Sequence, residues 1–213
     1  LVETTTDHTR THRVKVVSGA WVIAALCSGV MALLQYFGLA SVLGEIINTA
    51  QIGQAYANLR QRNQLATLLG MGSAGLIWWS IGAGDGASVR QWILRGSVSL
   101  LVVANAATGS RTGFFQLVIL ISMGLFWQRN RVLLLISTGG YMAAAVFLPI
   151  LLGANSFTSG ILSRVIESSV ACTSRLTLWS NVLHLISQKP WFGWGWGELD
   201  YAHFITLYPG ERF

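Results

Sequence analysis

Two arginines occupy settings in which a guanidinium group is a candidate to bind an anion, with a route to water as the other possibility for Arg175. Arg175 falls within the segment 174–197, which predicts a short amphipathic helix followed by a sharp turn. Ser174 is the predicted N-cap of this helix and Pro190 its stop. On a helical wheel Arg175 lies at the centre of the apolar face, at the helix end where the macrodipole disfavours a cation. This placement predicts contact with an anion such as a phosphate; the alternatives are a distant acid such as Glu45 or a lipid phosphate.

Arg111 is the second such arginine, and it stands between two apolar runs in the motif T-G-S-R-T-G. Glycines let a backbone approach a ligand closely, and hydroxyl groups add hydrogen-bond donors. The motif therefore predicts a hairpin that forms an anion nest. The alternative is a loop arginine that binds lipid phosphate at the level of the membrane headgroups.

An aromatic run follows the predicted amphipathic helix and reads W-F-G-W-G-W-G from Trp191. Tryptophan accumulates at membrane interfaces whatever its role. Its alternation with glycine predicts a bent backbone that carries stacked rings, among them Trp194 and Trp196, as a surface for a polyprenyl chain or a sugar face. His203 lies just beyond and is a candidate catalytic acid or base, although a lone histidine is more often structural.

The segment 38–63 is rich in asparagine and glutamine. Each amide both donates and accepts hydrogen bonds, so this segment suits a hydroxyl-rich ligand such as a sugar. The alternative is a solvated connector between two apolar runs.

The composition is that of a membrane protein. Of the 213 residues, 53% are hydrophobic and 10% charged, and the mean hydropathy is +0.55; a soluble domain carries about 25% charged residues. The net charge of +6 does not indicate nucleic-acid binding, because the basic residues are spread singly between apolar runs. With two cysteines and no zinc-type Cys/His spacing, we expect no metal, cofactor or structural disulfide.

Uncharged runs predict an all-α, polytopic helical bundle with about five transmembrane helices. The predicted spans lie near residues 16–37, 64–84, 92–108, 112–128 and 132–153. Residues 1–15 form a polar flank, 16–153 the transmembrane bundle, and 154–213 the start of a large loop that contains the amphipathic helix. The chain begins without Met and ends inside a polar segment, which predicts an internal piece of a longer protein.

The distribution of basic residues predicts the orientation of these spans. Seven flank the spans on the side of the N-terminus and three on the other: Arg10, Arg13, Lys15, Arg90, Arg95, Arg129 and Arg131 against Arg60, Arg62 and Arg111. The positive-inside rule then makes residues 1–15 a cytoplasmic flank and puts the large loop outside.

Three motifs in order carry a resemblance to a known family. They are A-N-L-R-Q-R-N-Q-L-A-T from Ala57, the T-G-S-R-T-G motif, and S-R-L-T-L-W followed by K-P-W-F-G-W-G-W-G-E. The chain from about Gly38 onward resembles the O-antigen ligase superfamily, and within it most closely the bacterial protein O-oligosaccharyltransferases. It departs from the latter at Arg62, where that group usually has proline in a Gln-Pro-Asn sequence.

The resemblance implies an enzyme of the bacterial inner membrane, with its active face in the periplasm. Such an enzyme is a glycosyltransferase that moves a glycan from undecaprenyl diphosphate to a hydroxyl of a protein Ser/Thr or of a lipid A core sugar. Its other expected partners are membrane lipids, and no nucleic-acid partner is expected. The family's diphosphate-binding arginines correspond to Arg111 and Arg175. The family's histidine belongs to a His-Asn motif that we expect beyond Phe213, which leaves His203 as the catalytic candidate here. The other expected substrate contacts are Arg60, Arg62, Asn63, Trp194 and Trp196.

Other functions are compatible with parts of the pattern. An O-antigen polymerase would share the donor and the arginines, and only the acceptor would differ. A transporter or flippase of the lipid-linked glycan would be expected to show inverted repeats or charges in mid-span, and neither is found. A structural membrane subunit would leave Arg175 and the aromatic run unexplained.

Overall fold

The computed structural model describes residues 2–80, 88–126, 131–153 and 169–209. Within these ranges every regular element is helical, which confirms the predicted all-α class. The chain divides into two compact units, Leu1–Val165 and Ile166–Phe213. The first part of the predicted large loop, 154–168, lies outside the described residues.

Five helices belong to the described part of the first unit. They are α1 (Val2–Tyr36), α2 (Arg62–Trp79), α3 (Val89–Thr108), α4 (Arg111–Phe126) and α5 (Arg131–Leu151). A connector, residues 37–61, joins α1 to α2 and contains two short 3₁₀ segments, Ala40–Ile46 and Ala57–Leu59. Each helix overlaps one predicted apolar run, and α1 also continues back through the polar flank.

Two of the described helical stretches are long and apolar enough to cross a membrane, namely His12–Tyr36 and Arg131–Leu151. The apolar α4 is shorter, with 16 residues. Large apolar side chains stay exposed on these helices, for example Ile23, Phe126 and Leu135. Such a surface suits lipid better than water. The structure is therefore consistent with a helical membrane protein, and the total of five spans stays a prediction.

Helix α3 is the centre of the first unit, where it packs against α1, α2, α4 and α5. Ser88 caps its start by accepting a hydrogen bond from a backbone N–H of the first turn, at 3.4 Å. Gly109 follows its last residue with φ 58°, the left-handed conformation that commonly ends a helix. Between these ends the apolar residues Leu94, Val98 and Leu101 recur every three or four positions and are buried.

Small residues bring α1 and α2 close together. A Cβ at Gly72 would clash with the Cβ of Ala25, and one at Gly75 would lie 2.9 Å from Cγ2 of Val22. Glycine and alanine at a helix interface let the two backbones approach, which is a common way to pack helices in a membrane.

The second unit contains α6 (Ser169–Gln188) and α7 (Leu199–Ile205). The predicted stop of α6 is confirmed, because the helix ends two residues before Pro190. The predicted N-cap at Ser174 is wrong, because Ser174 lies in the second turn of the helix. Serine costs little inside a helix, so its presence does not fix a helix start. Arg175 also lies beyond the first turn, and the predicted conflict with the macrodipole does not arise.

Candidate functional site

The turn between α3 and α4 places Arg111 at the first position of α4. The backbone N–H of Ser110 donates to Thr108 Oγ1 at 3.1 Å, and Ser110 Oγ accepts from the backbone N–H of Gly113 at 3.3 Å. Ser110 thereby caps α4. The motif is a tight turn between two helices rather than an open anion nest, and its serine hydroxyl is buried and bonded within the protein.

Two side-chain hydrogen bonds connect α2 with this turn and with α4. Ser110 Oγ donates to Asn63 Oδ1 at 2.7 Å, and Gln116 Nε2 donates to Thr67 Oγ1 at 3.1 Å. Polar bonds between membrane helices contribute about 0.6 kcal/mol each on average. Together they fix the start of α4 relative to the start of α2.

Gly113 allows α4 to approach α2 and α3 closely. A Cβ at this position would clash with Asn105 Oδ1 and would lie 2.8 Å from the Cβ of Ala66. Asn105 is itself 4% exposed, and its Nδ2 donates to the carbonyl oxygen of Gly113 at 3.3 Å. The backbone two residues after Arg111 is therefore held by both packing and a hydrogen bond.

Arg111 has a backbone that is held in place and a positive charge that no described residue neutralises. Its side chain is half-buried, and within the described part of the chain its guanidinium group has no hydrogen bond or ion pair. The first residues of a helix also carry backbone N–H groups without intrahelical partners and the positive end of the helix dipole. A cation at a helix start with no internal acid is a suitable setting for a phosphate or another anion.

Two more predicted arginines lie beside the start of α2. Arg60 is exposed and has a left-handed backbone with φ 55°, a conformation that costs a non-glycine residue roughly 1–2 kcal/mol. Arg62 is half-buried and is the first residue of α2. Because Asn63 bonds to Ser110, Arg62 and Arg111 each adjoin one member of a bonded pair. The structure thus brings the predicted residues of the first and second motifs together, with Asn63 acting through its bond to the turn.

Arg175 lies in the second unit, on α6. Its side chain is exposed and makes no hydrogen bond or ion pair to any described residue. Its apolar neighbours Leu176 and Trp179 are 70% and 64% exposed, whereas Asn181 and Leu185 on the same helix are buried. The apolar face that was predicted around Arg175 is therefore an exposed surface, and the side of α6 packed within the unit is the one that carries Asn181.

The aromatic run is a bent turn, as predicted. Gly193, Gly195 and Gly197 all have positive φ, of 66°, 110° and 82°, which favours glycine at every second position. The predicted stacking of rings is wrong, because no two aromatic rings within residues 191–197 are in contact. Trp194 is half-buried. Its Nε1 donates a hydrogen bond to the carbonyl oxygen of Leu185 at 2.9 Å. Trp196 is fully exposed, as are Phe192 and, nearly so, Trp191.

Lys189 contributes to the same local structure. Its Nζ lies 4.1 Å from the centroid of the Trp194 ring, a cation–π contact across the end of α6. Trp194 thus ties the turn to the helix, and this structural role accounts for its position.

His203 lies on α7 and is half-buried. Its Nδ1 is 2.7 Å from the phenolic oxygen of Tyr208, whose ring also lies 5.8 Å from that of His184. A phenol at this distance orients the imidazole, as required of an acid or base, and its catalytic role stays a prediction. Across the described residues, no group of three His, Cys, Asp or Glu side chains could hold a metal ion.

Several residues of this arrangement were not singled out from the sequence. They are Gln35, Thr67, Asn105, Ser110 as a cap, and Gln116. A polar side chain inside an apolar run is a signal that could have identified most of them, since such residues are costly in a membrane unless they have a partner. Their partners come from other helices or from the connector, which a helical wheel does not show.

Comparison with known families identifies the group to which this arrangement belongs. The family model described as O-antigen ligase matches residues 96–212, more than half of the chain. The chain belongs to the O-antigen ligase family. A second model, described as protein glycosylation ligase, matches residues 55–79. The two matches include Arg60, Arg62, Arg111 and Arg175, and they confirm the resemblance that the motifs indicated.

One curated relative of this ligase-family chain is a general O-oligosaccharyltransferase from Acinetobacter baylyi. It is 26% identical over 203 residues, which cover 86% of this chain and 33% of the relative. The chain thus spans about a third of the length of this relative. No solved structure matches the chain.

The structure explains the departure at Arg62. Proline is favoured at the first position of a helix, where its fixed φ is suitable and its missing N–H has no intrahelical partner to lose. Arg62 occupies that position in α2, after the extended backbone of Gln61. A Gln-Pro-Asn sequence and Gln61-Arg62-Asn63 therefore fit the same helix start.

Proposed function

We propose that this chain holds the donor-binding part of a glycan ligase of the bacterial inner membrane. The full-length protein transfers an oligosaccharide from undecaprenyl diphosphate to a hydroxyl acceptor at the periplasmic face. The observation that carries the proposal is Arg111, a half-buried cation at a capped helix start that has no partner among the described residues. Arg60 and Arg62, beside the same helix starts, add positive charge for this diphosphate. In the second unit, Arg175 stays a predicted diphosphate contact, and Trp196 supplies an exposed aromatic surface for lipid or sugar.

Glycan transfer requires a positive charge beside the departing diphosphate, which Arg111 can supply. The bond between the anomeric carbon and the diphosphate oxygen breaks, while a bond from the acceptor oxygen to that carbon forms. The acceptor loses its proton to a base, for which His203 is the candidate in this chain. The departing diphosphate gains negative charge, and a guanidinium group fixed beside it stabilises that charge most effectively where water is scarce.

The acceptor we propose is a protein serine or threonine. The match of residues 55–79 to the family model described as protein glycosylation ligase supports this choice over a lipid A core sugar. A polymerase would instead extend the glycan on its carrier. Incubating the full-length protein with lipid-linked glycan, with and without an acceptor protein, separates these reactions by the product that gains mass.

The test of the site is the pair Arg111→Ala and Arg131→Ala in the full-length protein, with membrane levels matched. Both arginines begin an apolar helix, so the second is a control for charge at a helix start. Removing one charge-stabilising group costs about 100-fold or more in rate. We expect that loss for Arg111→Ala and less than twofold for Arg131→Ala. Full transfer by Arg111→Ala, or equal losses in both variants, would contradict the proposed diphosphate site.

A further inference from the structure

The connector between α1 and α2 is held in shape by side chains rather than by regular structure. Gln35 is fully buried at the end of α1. Its Nε2 donates to the carbonyl oxygens of Asn48 and Ala57 at 2.7 and 3.0 Å, and its Oε1 accepts from the backbone N–H groups of Tyr56 and Ala57 at 3.1 and 2.7 Å. Four bonds from one buried amide use its full hydrogen-bonding capacity and fix the connector where it passes α1.

A second amide fixes the other half of the connector. Asn58 Oδ1 accepts from the backbone N–H of Asn48 at 3.0 Å, and its Nδ2 donates to the carbonyl oxygen of Ile46 at 2.7 Å. The tip of the connector is anchored as well, because the backbone N–H of Gly53 donates to the carbonyl oxygen of Tyr36 at 2.9 Å. The connector is therefore a pre-formed surface, as an efficient binding site requires.

This surface contains an open depression of about 500 Å³. It is lined by Thr49, Ala50, Gln51, Gln54 and Tyr56. Gln54 Nε2 donates to Gln51 Oε1 at 3.0 Å, and the phenolic hydroxyl of Tyr56 donates to the carbonyl oxygen of Thr49 at 3.0 Å. Among the described residues, the bond between the two glutamines leaves the Gln51 amide N–H groups and Gln54 Oε1 without a protein partner and so available to a ligand.

The chemistry of the lining selects a class of ligand. A neighbouring donor and acceptor fit adjacent hydroxyl groups, each of which can accept from one amide and donate to the other. None of the five lining residues is charged, which does not suit a diphosphate, and the polar lining does not suit a polyprenyl chain. The half-buried ring of Tyr56 adds an apolar surface of the kind that packs against the face of a sugar.

The depression lies at the end of the first unit that also carries Arg111. The connector joins the end of α1 to the start of α2, and Asn63 near that start bonds to Ser110 in the α3–α4 turn. We propose that the depression lined by Gln51, Gln54 and Tyr56 binds sugar hydroxyls of the donor glycan. This inference rests on the proposed function and adds to it a separate site for the glycan.

The test is Gln51→Glu in the full-length protein, with Ser41→Asp as the control for added charge on the exposed connector. A glutamate at position 51 keeps the acceptor for Gln54 and replaces the outward donor by an acceptor. Loss of neutral hydrogen bonds to sugar hydroxyls corresponds to about a tenfold effect. We expect KM for undecaprenyl diphosphate bearing the native oligosaccharide to rise about tenfold, with kcat within twofold of the unmodified protein. Ser41→Asp should leave both constants unchanged.

Further measurements distinguish the possible failures. Inhibition by undecaprenyl diphosphate without a glycan should be the same in Gln51→Glu and the unmodified protein. If Gln51→Glu does not accumulate in membranes, Gln54→Leu tests the same depression by removing its acceptor. An unchanged donor KM, or a rise in the KM of the acceptor peptide instead, would overturn the glycan site. Absence of any transfer by the unmodified protein would refute the proposed function itself, which is a different result.

Discussion

Replacement of Gly113 by alanine tests whether the start of α4 must be packed as closely as the structure shows. The added methyl group would clash with Asn105 Oδ1 and would approach the Cβ of Ala66 to 2.8 Å. Asn105 is buried and cannot move without breaking its hydrogen bond to the carbonyl oxygen of Gly113. The backbone at Ala66 can yield only if α2 moves relative to α4.

The expected size of the effect follows from opposing contributions. Overpacking costs about 1–3 kcal/mol, and the displaced Asn105 amide loses a further 1–3 kcal/mol if it is left buried without a partner. Alanine regains about 1 kcal/mol over glycine as a helix former. These contributions combine to a loss of about 1–5 kcal/mol, so we expect Gly113→Ala to lower the free energy of unfolding by about 3 kcal/mol. That corresponds to a fall in Tm of roughly 5–10 °C for a chain of this size.

Thermal unfolding of the purified protein in detergent measures this effect, with Gly96→Ala as the matched control. Gly96 also lies inside a helix, but a Cβ there meets nothing within 4 Å. The control should gain up to about 1 kcal/mol. Asn105→Ala combined with Gly113→Ala should recover part of the loss, since it removes one of the two clashes. Equal Tm values for the two single variants would refute the close packing of α4 and with it the positioning of Arg111.

Two further predictions concern the starts and ends of helices. Arg62→Pro should change the free energy of unfolding by less than about 1 kcal/mol, because proline suits the first position of α2. Ala66→Pro, inside the same helix, should cost about 3 kcal/mol or more. Denaturant unfolding of both variants tests this, and equal losses would contradict the helix start. Trp194→Phe removes the hydrogen bond to the carbonyl oxygen of Leu185 and should speed amide hydrogen exchange in residues 185–197. Trp196→Phe should not change this exchange, because that side chain is fully exposed. A larger effect at Trp196 would reverse the assigned roles.

The helices of the first unit could be predicted from the sequence because each contains an apolar run with few or no charges. Hydropathy alone locates such runs, and glycine or polar residues mark their ends, as Ser88 and Gly109 do for α3. The family could also be recognised, because its motifs are local in the chain. Both inferences rest on patterns that need no knowledge of which helices touch.

The errors arose where a distant contact decides the structure. The N-cap preference of Ser174 is a local tendency, and the helix in fact begins earlier at Ser169. Stacking of Trp194 on Trp196 is compatible with their spacing, but Trp194 bonds to Leu185 instead. Ser110 appeared free to contact a ligand, but its hydroxyl donates a hydrogen bond to Asn63, which is far away in the sequence. Local spacing restricts such partners without determining them.

The same distant contacts explain how a mostly apolar bundle can hold a charged site firmly. Gln35 fixes the connector, the connector leads to the start of α2, and Asn63 passes that constraint to Ser110 and so to the start of α4. The hydrogen bonds among these contacts are costly to leave unmade in an apolar setting. A group that stabilises developing charge is effective only if it is already in place when the charge appears. Under the proposed function, the polar side chains within the apolar helices hold Arg111 at the helix start without competing for its charge.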